Sequence, residues 1–346
     1  MTPRRRDGSR RAPLPYRPAA EAGGIPNVMA DGAPLASTVL CLSHWPVSPT
    51  PPALAHDLSA GSAFRYLRSR RRWPPAECVT TDHYDQDGLV TAFALSRPAE
   101  ALAREDRLVA VAAAGDFAVA PSPAPARVAF ALASLGQQGD GAGASPLDGS
   151  IHLRALEVLA EWVDEPERCR TRWEEEEAFV DGSEAALSSG RLALAERPEL
   201  DLAVLSSSGA DWPWRQHWEF THRAEGPVHP VALHRRTERS RVICLTPPRY
   251  ELRFRYEGWV RLASRRVAPR LDLEPLADEL TSLEPGPIRW AFNGASALVA
   301  RLGPVGGGSD LGPQAVLDAV TRALGTASPG WDPYRPGGRA RTGAGG

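Results

Sequence analysis

Cys78-Val79-Thr80-Thr81-Asp82-His83-Tyr84-Asp85-Gln86-Asp87-Gly88-Leu89-Val90-Thr91-Ala92-Phe93-Ala94-Leu95 reads as a strand, a polar turn and a helix in immediate succession. Cys78 to Thr81 is a short strand candidate, and Leu89 to Leu95 opens an apolar helix. Gly88 lets the chain turn sharply between the two. On an extended backbone His83, Asp85 and Asp87 alternate, so all three face the same side. Ligand-type side chains at the carboxyl edge of a strand that feeds a helix suit a bound metal. Carboxylates this close repel one another at neutral pH unless a cation compensates them. Carboxylate with imidazole suits manganese or another borderline-hard divalent ion. The simpler reading makes Asp87 the N-cap of the helix and leaves the other polar groups solvated.

The hexapeptide His83-Tyr84-Asp85-Gln86-Asp87-Gly88, with its apolar helix behind it, resembles the first motif of the DHH phosphoesterase superfamily. That superfamily includes single-strand exonucleases, oligoribonucleases, cyclic-dinucleotide phosphodiesterases and family II pyrophosphatases. The resemblance implies a parallel-sheet N-terminal lobe of DHH-like type and a smaller α+β C-terminal lobe. It implies His83, Asp85 and Asp87 as catalytic residues that hold a pair of manganese ions, with Asp116 of Gly115-Asp116-Phe117 standing for the aspartate of the second motif. The substrate expected on this basis is a small phosphorylated molecule or short oligonucleotide, cleaved at a phosphodiester or phosphoanhydride. The superfamily's Asp-His-His triplet occurs nowhere in the chain, and Gly306-Gly307-Gly308 is followed by Ser309 rather than histidine. The alternative is therefore a DHH-like ligand- or partner-binding protein without a complete two-metal site. Leu42-Ser43-His44-Trp45-Pro46, the His83 motif, Gly115-Asp116-Phe117 and Arg255-Tyr256-Glu257-Gly258-Trp259-Val260 together also resemble a family of actinobacterial proteins with no assigned activity.

Other residues can complete such a site. His44 follows the strand candidate Ser37 to Leu42, and a parallel sheet would bring it to the same edge as His83, with Asp57 near the next helix. Each also has a plain reading, His44 as a turn residue packed by Trp45 and Asp57 as a surface or capping carboxylate. His217 and His222 flank Trp218 and Phe220, but their spacing aligns them neither on one helical face nor on one strand face. Arg255, Arg261 and Arg265 stand beside Tyr256 and Trp259, where guanidinium and aromatic groups could grip a phosphate and stack a base. The plainer reading is a solvent-facing strand row with the aromatics in the core.

The 346 residues contain no lysine, which excludes a Walker lysine or a Schiff base and leaves arginine as the phosphate-binding cation. A formal charge of −2 gives no field that draws the chain to duplex nucleic acid or a membrane surface. The four cysteines have no short-spaced pair, and no apolar run reaches the length of a membrane span, so a cytoplasmic setting is expected. Residues 1–36 read as a flexible tail by composition, with Met29 as an alternative start, and residues 326–346 read as a second tail. Between them, 37–205 is expected to form the metal-binding lobe and 206–325 the C-terminal lobe. In the latter, Val242 to Leu245, Tyr250 to Tyr256 and Trp259 to Leu262 predict an antiparallel set, followed by a helix over Leu271 to Leu283.

Overall fold

The polar turn after Thr80 stands at the edge of a three-stranded parallel sheet. The computed structural model describes residues 11–137, 149–209 and 211–336. The chain divides into two compact units, and the fold is mixed α/β. The first contains residues up to Ala178 together with His217–Ala224 and Leu262–Arg265. The second contains Phe179–Gln216, Glu225–Arg261 and the residues from Arg266 onward.

In the first unit a short helix, α1 (Ala19–Ala22), precedes β1 (Asn27–Ala30), β2 (Thr38–Leu42), α2 (Ser59–Arg68), β3 (Cys78–Thr80) and α3 (Gln86–Ser96). There follow α4 (Pro98–Leu102), α5 (Glu105–Phe117), α6 (Pro123–Gln137) and α7 (Ser150–Asp164), while α8 (Glu174–Ser188) carries the chain across the division. The sheet order is β2-β1-β3, with both pairings parallel and Val28 opposite Leu40 and Val79. Because the strands are parallel, the residues that follow Ala30, Leu42 and Thr80 all emerge at one edge, where open α/β sheets bind their ligands. α3 is buried from Gln86 to Leu95 and packs against α2, α5 and α7. A helix this apolar on every side belongs in an interior, as the sequence suggests.

The middle strand is the main correction to the sequence reading. Residues 11–36 are not a tail: β1 lies inside the sheet, and Tyr16 bridges to Val79 at its border. Val28, Met29 and Ala30 are wholly buried. The surrounding Pro, Gly and Arg residues hide a strand of four residues, which gains its stability from a partner on each side. Residues 1–10 lie outside the described residues, as does most of the Gly-rich stretch 136–150 read as a linker.

The second unit holds β4 (Leu192–Arg197), β5 (Leu202–Ser207), the ribbon strands β6 (Arg215–Glu219) and β7 (His222–Gly226), whose inner residues belong to the first unit, and α9 (Pro230–His234). It continues with β8 (Arg241–Thr246), β9 (Arg249–Phe254), β10 (Arg270–Leu271), α10 (Glu274–Leu283), β11 (Trp290–Phe292), β12 (Arg301–Pro304), α11 (Pro313–Thr326) and β13 (Pro329–Trp331). The large sheet runs β11-β12-β9-β8-β5-β4, antiparallel except for β5 with β8. Alternate residues of its strands, including Ile243, Leu245, Leu252 and Phe254, form one core with Leu276 and Leu280 of α10 and Val316 and Val320 of α11. The β8–β9 hairpin follows the expected alternation. Trp259 to Leu262 does not form a strand, because the chain closes into a 3-10 turn at Tyr256–Gly258 instead. The C-terminal stretch read as a tail likewise pairs through β13 with β10, and 337–346 lie outside the described residues.

Phe93 is fully buried at the centre of α3. Phe93→Ala is expected to cost about 3–5 kcal/mol through lost transfer energy and the cavity left behind. Denaturant unfolding followed by tryptophan fluorescence checks this, and a loss below about 1 kcal/mol would contradict the packing described.

Candidate metal centre

Each strand of the parallel sheet ends in a ligand-type residue. Asp31 follows β1, His44 follows β2, and the turn after β3 carries His83, Asp85 and Asp87. Asp116, from the last turn of α5, joins them. Two groups result, Asp31 with His44, Asp87 and Asp116, and Asp31 with His83 and Asp85. Within each group one ligand atom per residue lies within 4.8 Å of every other, so each could hold a divalent metal ion. Asp31 belongs to both.

Local structure fixes each of these side chains. Asp31 adopts a left-handed backbone conformation, φ 44°, which most residues with a Cβ avoid and aspartate enters more readily. Its N–H donates to the Leu42 carbonyl at 3.0 Å, and the next N–H, that of Gly32, donates to Ser43 Oγ at 3.1 Å. Ser59 Oγ donates to Asp31 Oδ1 at 2.6 Å, while Asp31 Oδ2 is buried without a hydrogen bond, 3.7 Å from His83 Nε2. His44 Nδ1 donates to the Asp57 carbonyl at 2.6 Å, which leaves Nε2 as the ligating nitrogen. That atom stands 3.5 Å from Asp31 Oδ1, 3.4 Å from Asp116 Oδ2 and 4.0 Å from Asp87 Oδ2.

The N-terminus of α2 clasps Asp87, with the N–H groups of Ser59 and Ala60 each donating to one of its oxygens at 2.7 Å. The N-cap of α3 is Asp85, not Asp87: its Oδ1 accepts the Gly88 N–H at 2.8 Å, and its Oδ2 meets His83 Nε2 at 2.8 Å. The cap and the cluster are thus one structure rather than rival readings. Asp116 is brought in by Gly115, where a Cβ would lie 2.5 Å from Cβ of Gln86, so only glycine lets α5 approach α3 this closely. The His83 side chain is 30% exposed, whereas those of Asp31, His44, Asp87 and Asp116 are wholly buried, so the cluster opens to solvent at His83.

Burial of so many acids perturbs their ionisation. Asp87 is pushed up from 3.8 to about 7, first by burial and then by the charge of Asp85. Asp31 is raised for the same reasons, with Asp87 adding to Asp85. Burial lowers His44 to about 4, so it is neutral and able to ligate at pH 7. Burial opposes the charged forms of His83 and Asp85, but their mutual attraction outweighs it, raising His83 and lowering Asp85. The donors are carboxylate and imidazole without thiolate, a set suited to Mn²⁺, Zn²⁺ or a similar ion. A cation would hold all of these carboxylates ionised.

The structure thus brings His44, His83, Asp85, Asp87 and Asp116 together. Asp31, from the stretch read as a tail, was missed, although Asn27-Val28-Met29-Ala30-Asp31-Gly32 repeats the strand-then-aspartate pattern. Asp57 supplies its carbonyl to His44, and its carboxylate accepts the N–H groups of Ala263 and Ser264 at 2.7 and 2.8 Å. His217 is fully buried and His222 pairs with Glu219, and neither belongs to the two groups. Arg255 does not offer a phosphate grip: it is buried in the second unit and bonded to the Glu257 carboxylate and the Thr237 carbonyl. Arg261 is half-buried in the second unit, and Arg265 is exposed in the first. Among the described residues, no helix is long and apolar enough to cross a membrane.

The perturbed groups give a pH prediction. Above about pH 6.5 the unfolded chain has already released protons that Asp87, held at about 7, and His83, raised above its usual 6.5, retain in the fold, so chelator-stripped protein goes on losing stability as the pH rises past that point. Saturating Mn²⁺ should raise the melting temperature and flatten that fall. Thermal melts across the range with EDTA or Mn²⁺ test this, and identical curves would contradict it.

No curated protein and no solved structure matches the chain. A family model described as a family of unknown function (DUF6687) matches residues 10–335, and the chain belongs to that family.

Proposed function

We propose that the protein is a divalent-metal-dependent phosphoesterase acting on a phosphodiester or phosphoanhydride, such as a short oligonucleotide or cyclic dinucleotide. The observation that carries this reading is the position of Asp31 in both ligand groups. A shared carboxylate is the simplest way to hold two ions at the separation of about 3.5–4 Å that two-metal hydrolysis uses. The resemblance of His83-Tyr84-Asp85-Gln86-Asp87-Gly88 to the first DHH motif points the same way and favours manganese.

Asp31, His44, Asp87 and Asp116 would hold the inner ion, and Asp31, His83 and Asp85 the outer one. When bound, such ions supply Lewis acidity toward a phosphoryl oxygen and lower the pKa of water. The chain's own part is to fix the donors. The Asp57 carbonyl sets the His44 tautomer, the α2 N-terminus orients Asp87, and Ser59 anchors Asp31. With only His83 partly exposed, the substrate would approach from its side, and the buried carboxylates exclude bulk water from the inner position. One observation favours a second reading, a metal-holding binding module without turnover: Arg255, one of the three arginines expected to grip a phosphate, is engaged by Glu257.

Asp31→Asn preserves the size of the shared residue and removes its charge. It should lower Mn²⁺-dependent hydrolysis by at least about 10³-fold, equivalent to about 4 kcal/mol of barrier. Assays on bis-p-nitrophenyl phosphate, pyrophosphate, short RNA and a cyclic dinucleotide test this. Metal-replete wild-type protein that turns over none of them would favour the binding module.

A further inference from the structure

We infer that Asp82, which belongs to neither ligand group, is a positioning residue that orients His83 and braces the turn carrying Asp31. Its carboxylate joins the two. Oδ1 accepts the Nδ1–H of His83 at 2.7 Å, and Oδ2 accepts the N–H of Ala33 at 3.0 Å, two residues after Asp31. The first bond leaves His83 Nε2 as the ligating atom, aimed at Asp85 Oδ2 and Asp31 Oδ2. A carboxylate in this position also raises the basicity of the imidazole toward a metal. The second bond helps to hold Asp31 in its left-handed conformation.

The chain makes room for this carboxylate. A Cβ on Gly32 would lie 2.3 Å from Asp82 Oδ1 and 2.8 Å from Cγ, so glycine is required for Asp82 to sit where it does. The backbone of His83 is held separately: Thr81 Oγ and His152 Nε2 donate to its carbonyl at 3.1 and 3.0 Å. Loss of Asp82 should therefore free the imidazole while the loop stays in place. Asp82 acts directly on the more open group through His83, and reaches the inner one only through the turn that carries Asp31.

This inference rests on the reading that both groups hold divalent ions, and calorimetric titration with Mn²⁺ separates the two. Wild-type protein should take up two ions. Asp82→Asn keeps the shape but cannot accept both N–H groups as an anion does. It should weaken the site that contains His83 about 10- to 100-fold and the other, which shares only Asp31 with it, by clearly less. Gly32→Ala, which displaces Asp82 without altering it, should weaken the same site, and melting temperatures report whether either variant has lost its fold. Asp82→Asn with both affinities unchanged would overturn the positioning role alone. Equal weakening of both sites with a lowered melting temperature would also overturn it, by making Asp82 a general structural residue. Failure of the wild type to bind a second ion would overturn the two-ion reading itself, and the positioning role with it.

Discussion

Four aspartates and two histidines share one edge of a small parallel sheet, and most of their side chains are shut away from water. Such a concentration of like charge is costly, because each carboxylate loses its hydration and raises the pKa of its neighbours. The surrounding fold offsets part of that cost. The α2 N-terminus offers two N–H groups to Asp87, the Gly88 N–H donates to Asp85, and Ser59 satisfies one oxygen of Asp31. What remains is an excess of acid around Asp31, the state in which a cation binds with most effect. The packing of α3, the close approach of α5 through Gly115 and the order of the strands all converge on this cluster.

Much of this was legible in the sequence, for physical reasons that can be named. His83, Asp85 and Asp87 stood out because they alternate in a turn between an apolar strand and an apolar helix. His44 was reachable because a strand signal precedes it and parallel strands end on the same edge. Asp31 was not, because β1 is four residues long and its neighbours have the composition of a linker. Only tertiary pairing on both sides makes that segment a strand. The site therefore read as half complete, when the shared residue lay in the segment set aside as a tail.

In the second unit, period-two alternation exposed the β8–β9 hairpin, since one face of each strand meets α10 and α11. The same reasoning failed at Trp259 to Leu262, where an apolar stretch around Arg261 forms no strand. Arg270 shows why such alternation can mislead. It is almost wholly buried, and its guanidinium donates to the carbonyls of Arg255, Ala295, Ala297 and Leu298. A charged side chain there serves as an internal tie between loops, a role that periodicity does not reveal. The partnership of Arg255 with Glu257, two positions away, was likewise hidden by treating the arginines as a surface row.

The left-handed backbone at Asp31 narrows the choice of residue at that position. Among residues with a Cβ, aspartate and asparagine enter this conformation at low cost, and glycine enters it freely. Of these three only aspartate carries a negative charge and two oxygens that can each face a different neighbour. The bend of the chain and the chemistry of the cluster thus select the same residue independently, and few substitutions at position 31 can satisfy both.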